Sequence, residues 1–213
     1  APPGQNVVHL KLVLTDIAGN QATVVSSLNL ERRQRSQYNS LIRIVDPNLY
    51  DFELAYFDRL RKQRWRGWHD ADKVLHHGAV TAQVYPSRSD LLLQTLRGAR
   101  CVPGARDVDV MIAVIQRYDV RSALGGLARQ GCRLHVVTTR DRVETWLERP
   151  FRDSSGHTVD LPDNRVRTVS NHDKVVALHV RFRGATRYLV VTGTSNSTCG
   201  GQLYNDEEML RIE

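Results

Sequence analysis

The sequence predicts an α/β fold with a mixed, mainly parallel sheet, built as two related halves of which the first is only partly present. Three observations carry this. Strand and helix patterns alternate between residues 80 and 148, the order expected of a parallel sheet with helices on both faces. A His-x-Lys unit followed downstream by an asparagine recurs near both ends of the chain, which marks a duplication. The first copy begins at His9, so little sequence precedes it to build a half as large as the second.

The elements follow in order. Residues 7–16, 22–27 and 40–45 are rich in β-branched and apolar side chains and read as strands. Asp46-Pro47 supplies an N-cap and a first-turn proline. Leu49, Phe52, Tyr56 and Leu60 then recur at helical spacing, predicting a helix. The polar stretch 61–72 reads as a connection. A strand at 80–85, a helix at 87–97, a strand at 107–114, a helix at 119–130, a strand at 132–139 and a short helix at 141–148 follow. After a loop at 149–164 come strands at 166–170, 174–182, 186–192 and 207–211 without a long helix between them. The expected organisation is 1–63 as the end of a first half, 64–78 as a connection and 79–213 as a second half.

With 41% hydrophobic and 25% charged residues, the 213-residue chain can bury a core and is too apolar to be disordered. No apolar run approaches the ~18 residues of a membrane span. A net charge of +7 favours anionic partners. Only Lys11, Lys62, Lys73 and Lys174 among the 30 basic residues are lysine. A GC-rich coding bias explains such a skew, and it makes each lysine a candidate for a position where arginine will not serve. Cys101, Cys132 and Cys199 allow at most one internal disulfide. A Cys101–Cys132 bridge and three reduced thiols both stay open, and no spacing suggests zinc. His69, His76 and His77 lack an acidic or thiolate companion and read as a solvated loop. Trp65 and Trp68, among arginines, read either as a membrane-surface contact or as packing of the connection. Gly125-Gly126 reads as close helix packing, since no strand–turn–helix context makes it a phosphate loop.

The repeat carries the chemistry. His9, Lys11 and Asp16 fit His-x-Lys-x4-Asp, followed by Ser26-Ser27-Leu28-Asn29 and then Asn39. The order returns at His172-Asp173-Lys174, Gly193-Thr194-Ser195-Asn196 and Asn205-Asp206-Glu207. On a strand, His and Lys at i and i+2 share one face, and an asparagine at the end of the neighbouring strand reaches the same patch. Two imidazoles, two ammoniums and two amides around one pocket suit a phosphodiester. The lysines and amides hold the non-bridging oxygens, one histidine attacks, and the other protonates the leaving group. Either copy alone is an ordinary surface pattern; two in matching context are not.

These motifs resemble those of the phospholipase D superfamily. The resemblance implies α-β-α sandwich halves related by a pseudo-two-fold axis, and a ping-pong phosphohistidine mechanism without metal or cofactor. It implies His9 as nucleophile and His172 as general acid, then base. Lys11, Lys174, Asn29 and Asn196 would hold phosphate, Ser27 and Thr194 would fill the hydroxyl position, and Asp16 and Glu207 would support, Glu207 by orienting a histidine. The sequence departs from the pattern at several places. His179 replaces the second aspartate, Ser26 replaces a glycine and Thr194 a serine. Leu41 stands where Glu207 stands in the other copy, so one histidine lacks a visible partner. The expected activity is hydrolysis, or transfer, of the phosphatidyl group of a phospholipid. A nuclease of the same superfamily is the alternative, disfavoured because the basic residues are spread out, and a non-catalytic structural or binding subunit is the third reading. The resemblance and the start of the chain imply secretion to the extracellular space. The short first half implies a second polypeptide, a subunit or proteolytic companion, that completes a heterodimer.

Overall fold

The computed structural model describes residues 8–29, 32, 36–64, 68–139, 151–152, 158–159 and 165–213. Strands β1 (Leu12–Ile17), β2 (Asn20–Ser26) and β3 (Leu41–Val45) form an antiparallel meander. The β1–β2 connection is a two-residue turn in which Ala18 and Gly19 both have positive φ. Asp16 Oδ1 accepts the Gly19 amide there at 3.1 Å. Helix α1 (Pro47–Arg61) begins where the Asp46 carboxylate accepts the amides of Asn48 and Leu49. Leu49 packs with Val25 of the meander and with Ala82 and Leu210 of the larger sheet, so α1 joins the two sheets.

The rest of the chain comprises β4 (Val74–His77), β5 (Val80–Val84), α2 (Leu91–Gly98), β6 (Ala99–Arg100), β7 (Arg106–Ile112), α3 (Tyr118–Arg129) and β8 (Arg133–Thr139), then β9 (Phe151–Arg152) and β10 (Thr158–Val159). It continues with β11 (Arg165–Val169), β12 (Lys174–Phe182), β13 (Ala185–Gly193), α4 (Cys199–Leu203) and β14 (Glu208–Ile212). The large sheet runs β11-β8-β7-β12-β13-β14-β5-β4, with β6 beside the far end of β12. Strand β4 lies inside the stretch expected to be a connection and extends this sheet.

The sheet is mixed and mostly antiparallel, which corrects the expectation of a mainly parallel one. Only β7–β8 and β8–β11 pair in parallel. The β7–α3–β8 alternation does produce a parallel pair. After it, β12 lies antiparallel to β7, and β12–β13 is a hairpin closed at Arg183-Gly184, both at positive φ. Parallel neighbours need a crossover of about a dozen residues, which a hairpin cannot supply. Helices α2 and α3 cover one face: Leu92, Leu96, Val120, Leu124 and Leu127 pack on Val108, Val110, Leu134, Val136, Val176 and Leu178. Helix α1 lies over the β5–β14 region of the other, which gives the α-β-α layering.

Cys101 and Cys132 are disulfide-bonded with Cα atoms 5.5 Å apart, and Cys199 is an exposed free thiol. Trp68 packs on Tyr56, ring centroids 5.3 Å apart and tilted by 36°, and lies under the Arg59 guanidinium, the packing alternative for that residue. Trp65 and the helix expected at 141–148 lie outside the described residues. A Cβ on Gly126 would meet nothing within 4 Å, so close packing does not require that glycine. His77 pairs with Asp46 at 2.8 Å and His76 with Thr81 at 3.1 Å. Among the described residues no three His, Cys, Asp or Glu side chains group as a metal site, and no helix is long and apolar enough to cross a membrane.

Candidate active site

Strand β1 starts at Leu12 and β12 at Lys174, so the two His-x-Lys units stand at the strand entrances rather than along the strands. In both, the lysine folds back over its histidine. Lys11 Nζ donates to the His9 carbonyl at 2.5 Å and Lys174 Nζ to the His172 carbonyl at 2.6 Å. Each unit is also stitched to the opposite half. His9 N donates to Asp206 O and His172 N to Tyr38 O, both at 3.0 Å. Val8 and Asn171 form parallel bridges with those same two residues. The duplication in the sequence is thus a pseudo-two-fold exchange of contacts in space.

Glu207 is 1% exposed and organises the His9 side. Its Oε2 accepts from His9 Nδ1–H at 2.9 Å and from Thr194 Oγ1–H at 2.7 Å, while Oε1 accepts from Asn205 Nδ2 at 3.4 Å. A carboxylate only accepts, so a proton sits on Nδ1, and in the neutral ring the lone pair lies on Nε2.

The His172 side differs. Its Nδ1 lies 3.3 Å from Lys174 Nζ, and the ring is hydrogen-bonded to the Ser27 backbone. Burial, and then the Lys174 charge, hold the imidazole at about 4, so it is neutral at pH 7. Burial also lowers Lys174 to about 7, reinforced by the Lys11 charge. Burial lowers Lys11 to about 8, opposed by the Glu207 carboxylate. The charges of Lys174, Lys11 and His9 bear on His172, and those of Lys11 and Glu207 on Lys174, as expected of neighbouring groups. Two desolvated ammoniums so close together favour an anion between them, which restores what burial took from each.

Asn29 lies with His9, Lys11 and Leu28 along a groove of about 360 Å³. Ser27 and Thr194 are fully buried. Asn196 has a buried Oδ1 without a hydrogen-bond partner. Its loop is pinned to the β7–α3 connection: Ser197 N donates to Val114 O, and the amides of Gln116 and Arg117 donate to Ser197 O. Gly193 and Gly201 are needed for this closeness, since a Cβ would fall 2.1 Å from Glu208 O at the first and 2.8 Å from Asn196 O at the second. Arg117, buried between Asp90 and Asp119, braces the same connection. Sequence reasoning missed Arg117 and Asp90; the N-cap pattern before α2 is the one sign of Asp90, which accepts the Leu93 amide. Asp16 stands apart at the β1–β2 turn. Strand β12 runs three residues beyond His179 before it turns, so no turn there needs an aspartate. His179 instead stacks on Tyr188, rings 4.1 Å apart.

Hydrogen bonds also fix which residues correspond between halves. Ser27 N donates to Ser40 O, and Thr194 N donates to Glu208 O. Ser40 N donates to Ser27 Oγ, and Glu208 N donates to Thr194 Oγ1, both at 2.9 Å. Leu41 pairs with Ser26 as Met209 pairs with Gly193. Asn39, not Leu41, therefore corresponds to Glu207, which corrects the alignment read from the sequence.

No protein-family model and no curated protein matches the chain. Solved structures do. Phosphatidylserine synthase from Haemophilus influenzae matches 97% of this chain and 57% of its own at 11% identity, TM-score 0.59. Polyphosphate kinase from Porphyromonas gingivalis matches 98% of this chain and 32% of its own at 12% identity, TM-score 0.58. Nuc from Salmonella typhimurium, described as a phospholipase D family member, matches 62% and 82% at 19% identity, TM-score 0.45. At these identities the likeness is one of fold. The chain spans just over half the length of the synthase and about a third of the kinase.

Proposed function

We propose that the chain carries the paired histidine site of a phospholipase D-type phosphodiesterase. The observation that carries this reading is the doubled His-x-Lys unit, each lysine folded back on its own histidine, with the Glu207 carboxylate bonded to His9 Nδ1. His9 Nε2 attacks phosphorus, the bond from phosphorus to the leaving oxygen breaks, and that oxygen takes a proton from His172. Water then attacks phosphorus and the N–P bond breaks, while His172 takes the water's proton, which regenerates His9 and releases a phosphomonoester. Lys11, Lys174, Asn29 and Asn196 hold the non-bridging oxygens. Free His172 is neutral at pH 7; the bound phosphate anion, facing it beside the lysines, raises its affinity for the proton it must deliver. No step draws on a metal or cofactor.

A phospholipid is the favoured substrate. The groove beside His9 and Lys11 is lined by Val8, Leu10, Leu12, Val13 and Leu41, which suits an acyl-bearing ester. Among the described residues its lining carries no aromatic side chain on which a base would stack. The same fold in a phosphatidylserine synthase supports this choice. Phosphatidylcholine hydrolysis and plasmid nicking, each repeated with His9→Ala and His172→Ala and with EDTA, test it. Lipid turnover that is lost in both variants and unchanged by EDTA is the expected result. Plasmid nicking without lipid turnover identifies a nuclease instead, and activity that survives His9→Ala refutes the scheme.

The proposal extends to a companion strand. Strand β12 is paired on both edges, by β13 and β7, whereas its counterpart β1 is paired only with β2 among the described residues. A strand supplied by a second polypeptide would take, beside β1, the position that β7 holds beside β12. Size exclusion coupled to mass spectrometry of native material tests this: a lone, active 213-residue species contradicts it.

A further inference from the structure

Three acidic residues in a row, Asp206-Glu207-Glu208, run into β14. Helix α1 takes hold of the outer two while the middle one reaches His9. Leu49, Glu53 and Tyr56 share the buried face of α1. Tyr56 Oη–H donates to Tyr85 O at 2.8 Å and lies 3.3 Å from Asp206 Oδ1. The Tyr85 amide in turn donates to Glu207 O at 2.9 Å. On the other side of Glu207, the Glu208 backbone is bonded through both N and O to Thr194. The Glu208 side chain lies on the α1 side of the sheet, as Leu210 does, and the Glu53 carboxyl faces it. Both glutamates are 0% exposed. Among the described residues no N–H or O–H donates to any of their four oxygens. A carboxylate only accepts, so two of them face to face, cut off from water and from donors, cannot both stay ionised. The donor left to them is a proton of their own.

We infer that Glu53 and Glu208 hold at least one proton between them at neutral pH, and that this neutralised pair is the clamp by which α1 keeps Glu207 within reach of His9. The clamp bears on the site assigned above but rests on the contacts of Glu207 alone, so it stands or falls without a substrate. Burial, and then the facing Glu208 charge, raise Glu53 well above the usual carboxylate range, and burial raises Glu208 as well. The surroundings add no positive charge to offset a second negative one. Helix α1 adds Tyr56, raised by burial and then by the Asp206 charge. The segment before β14 adds Asp206, itself raised by burial, and Glu207, which is engaged with His9, Thr194 and Asn205. Strand β5 adds Val84, opposite Glu208 in register, and β2 adds Val25 and, two residues back on the same face, Thr23. Removing the proton would set two charges against each other where α1 meets β14, one residue from Glu207. Both groups lie above their unfolded value of 4.5, so the stability they contribute is complete below pH 4.5 and falls as pH rises.

Three measurements on the substrate-free protein test this. Infrared spectra at pH 7 should contain the carbonyl band of a protonated carboxylic acid that the double variant Glu53→Gln/Glu208→Gln removes. No such band in wild type, or one untouched by the variant, overturns the inference. From pH 5.5 to 7 the unfolding constant of wild type, relative to that variant, should rise about tenfold per pH unit for each proton the pair holds, lysine and histidine contributions being common to both. A ratio flat within about twofold overturns it, as does a wild-type melt lowered by EDTA, which would put a cation in place of the proton. A neutral pair tolerates amides, so unfolding of both the double variant and Glu53→Gln overturns it too. The positioning role is read from the ¹⁵N shifts of the His9 ring at pH 8, which report the Nδ1–H form that Glu207 holds. Glu53→Ala should move the ring away from that form and Glu53→Gln should restore it; Tyr56→Phe, which frees Asp206, serves if Glu53→Ala does not fold. Ring shifts matching wild type in whichever disruptive variant folds overturn that role. A protein that meets every expectation yet cleaves no phosphodiester keeps the clamp and loses the functional reading instead.

Discussion

Replacing Glu207 by Gln is the most informative single perturbation of the His9 side. The amide oxygen still accepts from Thr194 and His9, so the geometry survives while the charge goes. A hydrogen bond to a charged group contributes about 1.5–3 kcal/mol against about 1 for a neutral one. If the carboxylate supports the phosphorylated ring, losing its charge should cost about 1–2 kcal/mol in the transition state, a fall in kcat of roughly 5–30-fold. A second effect follows from the lysines. Glu207 opposes the burial that lowers Lys11 and Lys174, so both should lose protons at lower pH in the variant. KM should therefore rise above pH 7 more steeply than in wild type. Steady-state kinetics on bis(p-nitrophenyl) phosphate between pH 5.5 and 9, with thermal melts to verify folding, read both effects. A kcat within twofold of wild type at pH 6, in a folded variant, would refute the role given to this carboxylate.

Four other outcomes are expected. Affinity for inorganic phosphate, measured by calorimetry, should weaken from pH 6 to 9 as Lys174 and Lys11 lose protons near 7 and 8. Because both lysines lie below their unfolded value of 10.5, the unfolded chain binds more protons in that window, so the free protein should gain stability from about pH 7 to 10. Gly193→Ala drives a Cβ to within 2.1 Å of Glu208 O and must part β13 from β14. A loss of about 1–3 kcal/mol or more in denaturant melts is expected, together with most of the activity. Reducing the Cys101–Cys132 bridge frees a loop of sequence separation 31 and should cost about 3–4 kcal/mol by the chain-entropy estimate. An unchanged melting temperature in reductant would contradict it.

The site was more legible in the sequence than the sheet was. His9, Lys11, His172, Lys174, Thr194 and Glu207 stand out because a duplicated polar pattern persists in a chain poor in lysine. Strand direction left no such trace. Alternation of apolar residues marks β12 and β13 as strands but is the same for parallel and antiparallel neighbours, and only connection length separates them. The β7–α3–β8 crossover was readable for that reason, and the place of β12 antiparallel to β7 was not. The Asn39 correspondence was hidden by a coincidence of residue type. Asn39 matches Asn205 in residue type, and setting those two asparagines side by side puts Leu41, two residues on, opposite Glu207. Only hydrogen bonds recover the register. Arg117 and Asp90 act through a loop far from the motifs in sequence, and no local pattern pairs them.

The most direct test of the central claim is to trap the covalent intermediate. The protein is mixed with a labelled phosphodiester, quenched in alkali within milliseconds, digested and mapped by mass spectrometry. The account predicts a phosphoryl adduct on His9, absent in His9→Ala and accumulating when His172→Ala slows its hydrolysis. An adduct on His172 in place of His9, or turnover without any histidine adduct, would contradict it.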